Sequence, residues 1–527
     1  MLDILLHGGR VVDGTGASPV RANVGVIGDR IVYVGGDAPP EAARVIDVSG
    51  QVVAPGVIDI HSHSDFTWLE ERSGRSAVRQ GVTTEVVGNC GQSYAPLTEL
   101  NRGSVSEVSR GRQPSVDVTW RTVGEYLAMV RQGNSQNCYF LVGHGTLRGA
   151  VVGPDDRPAT PGEIGRMQAA LAEALSEGAR GMSTGLEFMP GSAANADELG
   201  AMAEVVGRRG GFLASHIRNR DSHFVDAVDE MIGAARRGGT PLQLSHLMVK
   251  PGHAPNAWET VVEHMQQARA NGVDVVADMI PYDTGPGLPT AFLPAWALEG
   301  GPVELLARLR TPDLYARIRL DYDRYWRFVA MGEWDRLSVA VSNAHPDWIG
   351  QNFDDLAEQL GMPPIDVLLS LLLDEGEGLG QVLVNGRLFS EDHVRACLSH
   401  PLFILSSDGW RGTRDGGPGE VANHPNCWGW VPRILGHYVR DEASLSLEEA
   451  IHKMTSLPAQ RLGLTDRGVV RTGFYADLMV FDPATVDTRS NFARPARAPD
   501  GISHVLVNGQ PVVAAGEPTG ALPGRVL

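Results

Sequence analysis

From about residue 49 onward, two rhythms of apolar and polar positions alternate along this chain. Short apolar runs of strand length are separated by stretches whose apolar residues recur every three or four positions, the spacing of an amphipathic helix. Eight runs read as strands: Val52 to His63, Thr84 to Cys90, Cys138 to His144, Ala179 to Leu186, Gly211 to Ile217, Pro241 to Leu247, Val273 to Tyr282 and Leu402 to Asp408. The stretch after Thr160 shows the quality of the helical signal. Thr160 can cap a helix, Pro161 suits its first turn, Glu163 completes a capping box and Gly178 stops it. Between those ends Ile164, Met167, Leu171 and Leu175 share one face. Regular alternation predicts a parallel α/β architecture. Eight such strands predict a (β/α)8, TIM-like barrel, whose chemistry sits at the C-terminal ends of the strands.

Two regions fall outside that count. Residues 1–50 and about 464–527 are rich in short β-like runs with glycine turns, such as L-D-I-L-L-H-G-G-R from Leu2 and A-D-L-M-V-F-D from Ala476. They predict a small β-sandwich domain built from both termini, which leaves 51–463 as the barrel. The segment 285–398 is far longer than an ordinary connection between strands seven and eight. It carries Trp296, Trp326, Trp334 and Trp348, and reads as a lid or substrate wall.

Composition narrows the partners. With 63 acidic residues against 45 basic ones the net charge is −18, which argues against nucleic acid or an anionic membrane. Four scattered cysteines, Cys90, Cys138, Cys397 and Cys427, do not make a disulfide framework and suit a reducing compartment. Nothing reads as a signal peptide or a membrane span, so a cytoplasmic protein with a small-molecule partner is expected. The sequence leaves the oligomeric state open. Lysine occurs only at Lys250 and Lys453.

The strand ends carry the chemistry. Strand one ends in V-I-D-I-H-S-H-S-D-F from Val57, where His61 and His63 point the same way on an extended chain. Alone, that pair reads equally as metal ligands or as ordinary strand-end histidines. Strand two ends in G-N-C-G around Cys90, strand five in A-S-H-I-R around His216, strand six in L-S-H-L around His246 and strand eight in S-S-D-G around Asp408. Imidazoles, a thiolate and a carboxylate gathered on one rim form a donor set for zinc.

That order of ligands resembles the amidohydrolase superfamily and, more narrowly, the N-acyl-D-amino-acid deacylases (D-aminoacylases). The similar stretches are P-G-V-I-D-I-H-S-H-S-D-F from Pro55, R-Q-G-V-T-T-E-V-V-G-N-C-G from Arg79, V-G-H-G-T-L-R from Val142, M-S-T-G-L-E from Met182 and the tail A-D-L-M-V-F-D-P from Ala476. The resemblance implies a zinc ion held tightly by Cys90, His216 and His246, with a second, weaker metal position near His61 and His63. Many superfamily members use a carbamylated lysine on strand four; this chain has no lysine before position 250, and Cys90 takes the bridging place. A buried small hydrophobe is the alternative reading of Cys90. Asp408 is then expected to take a proton from the attacking water and return it to the leaving amine. Tyr282 is a candidate oxyanion donor or a rim plug, His144 a candidate pocket residue or part of a tight turn, and Glu187 a candidate acceptor for a ligand histidine or a solvated carboxylate.

The resemblance breaks where such deacylases hold the substrate α-carboxylate. An H-P-R stretch is expected after strand eight; this chain reads H-P-N from His424, placing Asn426 at the arginine position. The lysine expected soon after the strand-six histidine is replaced by Met248, with Lys250 two positions further on. Asparagine cannot supply the charge of a guanidinium fork. Arg411, Arg414, Arg218 or Lys250 could compensate, or the substrate could be a cyclic or specialised amide without a free α-carboxylate. Trp410, Trp428 and Trp430 crowd the same loops, as a bulky partner or plain core packing would require. A non-catalytic barrel serving as an interaction protein is the remaining alternative, set against the fact that every expected ligand position is filled.

Overall fold

The computed structural model describes the chain except residues 37, 104–115, 323–325 and 413–423. Eight parallel strands close into a barrel: Val57–Asp59, Val82–Val87, Asn137–Phe140 continued as Val142–Gly143, Gly181–Gly185, Phe212–His216, Leu242–Leu244, Val275–Met279 and Phe403–Leu405. Closure runs through Asp408 N–H to His61 O at 2.9 Å and His63 N–H to Gly409 O at 2.7 Å. Every residue of these strands is buried, which is why each reads as a continuous apolar run. The helix Pro161–Glu177 carries the expected capping box between Thr160 and Glu163 and buries Met167 and Leu171.

All eight strands stop earlier than expected. Strand two ends at Val87, strand six at Leu244 and strand eight at Leu405, short of Cys90, His246 and Asp408. Those three residues have φ of 52°, 35° and 48°, a region that an L-residue enters only when its surroundings force it. The turn throws each side chain back over the barrel mouth.

The first apolar run divides at Gly56. Val52–Pro55 leaves the barrel and pairs antiparallel with Leu478–Phe481, while Val57–Asp59 becomes barrel strand one. A side chain at 56 would meet Thr83 at 2.2 Å. Strands from both termini thus form one sheet, in the order 517–518, 510–514, 502–507, 478–481, 52–55, 2–11, 20–27 and 30–35, with 42–47 also beside 2–11. Its far edge folds back through Ile31 N–H to Phe474 O at 2.9 Å, around a core that includes Leu6, Val24, Val26, Leu478 and Leu506.

Between strands seven and eight the chain forms helices and a three-stranded antiparallel sheet of Thr284–Gly287, Leu383–Arg387 and Leu337–Val341. Trp326, Trp334 and Trp348 are buried there. Trp410, Trp428 and Trp430 are buried as well, so the aromatic crowd near the strand-eight loop is core packing and not a surface for a bulky partner. Among the described residues no single helix is long and apolar enough to cross a membrane.

Candidate metal centre

Four side chains meet at the mouth of the barrel. The ligand atoms of His61, Cys90, His246 and Asp408 all lie within 4.8 Å of one another. Cys90 Sγ is 3.3 Å from His61 Nε2 and 3.4 Å from His246 Nε2, and His61 Nε2 is 3.3 Å from Asp408 Oδ1. Zinc with nitrogen or oxygen at about 2.0–2.1 Å and sulfur at about 2.3 Å separates tetrahedral donors by roughly 3.3–3.6 Å. The three separations above fall in that range. His63 Nε2 stands 3.1 Å from Asp408 Oδ1 at its edge.

The turn bearing Cys90 is clamped from three sides. Gly88 and Gly91 have positive φ, and side chains there would strike Leu141 O at 2.0 Å and Gly185 N at 2.5 Å. Asn89 donates from Nδ2 to Ser62 O and Val86 O, tying the turn to the end of strand one. Only such backbone-to-backbone packing brings a second-strand thiol over the barrel axis.

A second set of residues, which sequence reasoning missed, fixes the ligand tautomers. His61 Nδ1–H donates to Asp278, at 3.2 and 3.3 Å from its two oxygens, and so leaves the Nε2 lone pair facing Cys90. Asp278 also accepts from His246 N–H at 2.8 Å, Gln243 Nε2 at 2.7 Å and Ser406 Oγ at 3.1 Å. On strand one, Asp59 accepts from the Ser407 hydroxyl at 2.6 Å and its N–H at 3.1 Å, and burial raises its carboxyl to about 7. The signal was a lone polar letter inside an apolar strand: V-A-D-M at Asp278, L-Q-L at Gln243, V-I-D-I at Asp59.

Electrostatics agree with a cation at this point. Burial opposes a charge on His61, yet Asp278, Cys90 and Asp408 outweigh it and hold the protonated ring well above the ordinary imidazole range. Burial would raise Asp408, but His61, His246 and His63 hold its carboxyl well below the usual carboxylate range. Asp408 keeps its side chain 19% exposed, whereas His61 is sealed, so the cluster opens toward substrate on the Asp408 side. Burial, reinforced by Arg220, holds His246 well below the ordinary value, as a neutral ligand requires.

His216 stands beside this cluster, its ring 4.5 Å from that of His246, but is not one of the four. Its Nε2–H donates to Glu187 Oε2 at 2.7 Å, which leaves Nδ1 as the ligating nitrogen. Burial lowers His216 to about 4 against the pull of Glu187. Glu187 is in turn held by Lys250 Nζ at 2.7 Å and approached by Arg220 at 3.5 Å. Burial opposes its charge, but Lys250, His216 and Arg220 keep it far below the usual carboxylate range. Burial, with Arg220 beside it, lowers Lys250 to about 8. Arg220 NH1 also lies 2.9 Å from His246 Nδ1 and 3.1 Å from His246 O. An arginine can only donate, whereas ligation through Nε2 puts the ring proton on Nδ1. Ligation through Nε2 would therefore leave His246 O and Glu187 as the acceptors for this guanidinium.

The expected substrate contacts divide. His144 is fully buried on Glu198, its Nε2 2.8 Å from Oε1, because Gly143 starts a helix that turns its ring into the core. It does not line the pocket. Arg218 is spent on Glu230, Ser192 O and Ala194 O, and Arg411 on Glu85 at 2.7 Å and Asn134 at 2.8 Å. Asn426 is buried and donates from Nδ2 to Ser407 O at 2.7 Å and Asp408 O at 3.2 Å, so it holds the Asp408 turn and offers nothing to an anion. Met248 is buried too. Arg414 lies outside the described residues. Tyr282 is buried under Arg433 and against His424, with no hydrogen-bond partner for its hydroxyl among the described residues.

The amidohydrolase family model matches residues 44–513. N-acyl-D-glutamate deacylase of Alcaligenes xylosoxydans xylosoxydans is 34% identical across 100% of this chain and 96% of its own length. A crystal structure of D-aminoacylase superposes with a TM-score of 0.83 at 33% identity, covering 100% of both chains. That of N-acyl-D-glutamate deacylase from Bordetella bronchiseptica, complexed with zinc and a phosphonate mimic of the tetrahedral intermediate, gives 0.81 at 32% identity, covering 100% of this chain and 99% of that one.

Proposed function

This chain belongs to the amidohydrolase family, and we propose that it hydrolyses the acyl–nitrogen bond of N-acyl-D-amino acids as a zinc-dependent deacylase. The observation that carries the reading is the His61–Cys90–His246–Asp408 cluster, with zinc-ligand spacing, in a fold shared end to end with deacylases. Cys90, His246 and His216 would hold a tightly bound zinc, and His61, His63 and Asp408 would serve a second, weaker position. Bound zinc supplies Lewis acidity, which lowers the pKa of water toward about 7 and polarises a carbonyl.

The chain's own groups do the rest. Asp408, ionised and partly open, accepts the proton from water as the new C–O bond forms. It hands that proton to the nitrogen as the C–N bond breaks, so acid and amine leave with the atoms of one water. Asp278 and Glu187 hold the imidazoles in their ligating tautomers. The buried Tyr282 hydroxyl, without a hydrogen-bond partner among the described residues, is the candidate donor to the carbonyl oxygen. Four scattered cysteines make no disulfide framework, which supports a reducing, cytoplasmic setting.

A second reading has one specific observation behind it. Asn426 and Met248 give no charge for an α-carboxylate, and Arg218 and Arg411 are spent elsewhere. A neutral or cyclic amide would need none. Assaying zinc-loaded protein on N-acetyl-D-amino acids, their L-enantiomers and their carboxamides separates the two. Turnover of free D-acids supports the deacylase reading, and turnover of carboxamides alone supports the other.

A further inference from the structure

We propose that a small uncharged pocket beside Cys90, beneath the loops that follow barrel strands one to four, is the subsite for the acyl group and selects short apolar chains. The proposal rests on the deacylase reading above. The pocket opens at Cys90 and is walled by Phe66, Gly145, Gly149, Phe188 and Met189, with no Asp, Glu, Lys or Arg in its lining. Three of its polar side chains bond to backbone carbonyls. Ser93 donates to Ala95 O at 2.6 Å, Thr146 to Ser93 O at 3.1 Å, and Asn101 to Pro96 O and Thr146 O at 3.0 and 3.1 Å. What remains is glycine backbone, apolar surface, Cys90 and the neutral Gln92 side chain.

Orientation assigns the pocket to the acyl half of the amide. The leaving nitrogen must face its proton donor, and Asp408 stands after strand eight. Lys250 and Arg220, the buried cations near the metal ligands, lie after strands six and five. The acyl substituent projects from the carbonyl carbon away from the nitrogen, toward strands two to four, where this pocket lies. The cavity measures about 80 Å3. At about 10–15 Å3 per water-sized group, that is room for roughly five to eight non-hydrogen atoms.

The test is kcat/KM for the formyl, acetyl, butanoyl, hexanoyl and decanoyl derivatives of one D-amino acid, in wild type, Gly149→Ala and Met189→Ala. Each methylene that enters an apolar site contributes about fourfold. Wild type should rise from formyl to an optimum at about four to six carbons and then fall. Gly149→Ala adds a methyl 3.3 Å from Asn101 Cβ and should move the optimum toward acetyl. Met189 is 41% exposed, and Met189→Ala should extend tolerance to longer chains. Zinc content and melting temperature confirm that both variants are folded. In neither should the ranking of N-acetyl-D-Ala, -D-Leu and -D-Glu change. A changed ranking with an unchanged acyl profile would overturn the proposal, as would an unchanged acyl profile in both folded variants. Failure of zinc-loaded wild type on every N-acyl-D-amino acid would instead overturn the deacylase reading on which it rests.

Discussion

Asp278 offers the sharpest way to probe how the metal site is built. It touches no substrate, yet its carboxylate accepts from His61 Nδ1, His246 N–H, Gln243 Nε2 and Ser406 Oγ. Asp278→Ala strips partners from three buried donors, since Ser406 keeps Met279 O at 3.1 Å. At about 1–3 kcal/mol per orphaned donor, the loss is roughly 3–9 kcal/mol. Whole domains are stable by only about 5–15 kcal/mol. Asp278→Ala should therefore melt far below wild type or fail to accumulate. Asp278→Asn is gentler. Its carbonyl oxygen still accepts from His246 and Ser406, and its new amide meets Gln243, whose Oε1 has no partner among the described residues and can flip to accept. The fold should survive while the charge that holds His61 in its ligating tautomer is lost, which weakens zinc affinity at the second, His61 position about 10- to 100-fold. Competition with a chromogenic chelator measures the affinity, and calorimetry the melting temperature. Wild-type zinc affinity in Asp278→Asn, or wild-type stability in Asp278→Ala, would refute this reasoning.

Further outcomes follow from the same geometry. Asp408→Asn should retain its zinc, by elemental analysis, while kcat falls about 10²- to 10⁴-fold for want of a proton shuttle. Arg220→Met removes a guanidinium that opposes the ligating tautomer of His246, so zinc should bind more tightly, by up to about 100-fold in the same chelator assay. Lys250 titrates near 8 because burial, then Arg220, disfavours its charge. It is positive below that pH and neutral above, leaving Glu187 with Arg220 as its remaining cation, so KM for an anionic substrate should rise as pH passes 8 while KM for its carboxamide stays flat.

Much of the architecture was legible in the sequence because barrel strands are buried on both faces and stand out as apolar runs. The residues of the His61–Cys90–His246–Asp408 cluster were legible because they sit just past the ends of those runs. What the letters could not show is backbone conformation: nothing marks Cys90, His246 and Asp408 as positive-φ residues, so the expected strands ran on through them. Ala54-Pro55-Gly56 reads as a turn within the first apolar run, and it is where that run passes from the terminal sheet to the barrel. His144 and Arg218 misled because their partners, Glu198 and Glu230, are brought close only by the fold. The supporting shell of Asp278, Gln243 and Asp59 did leave a trace, a polar residue in an apolar strand, whose meaning depends on which way that side chain faces.

Zinc-edge X-ray absorption of the loaded protein reaches the central claim most directly, since it reads the ligand atoms themselves. A sulfur shell at about 2.3 Å beside nitrogen or oxygen at about 2.0–2.1 Å is expected, with the sulfur absent in Cys90→Ala. A wild-type spectrum without sulfur, or a sulfur shell that survives in Cys90→Ala, would contradict it.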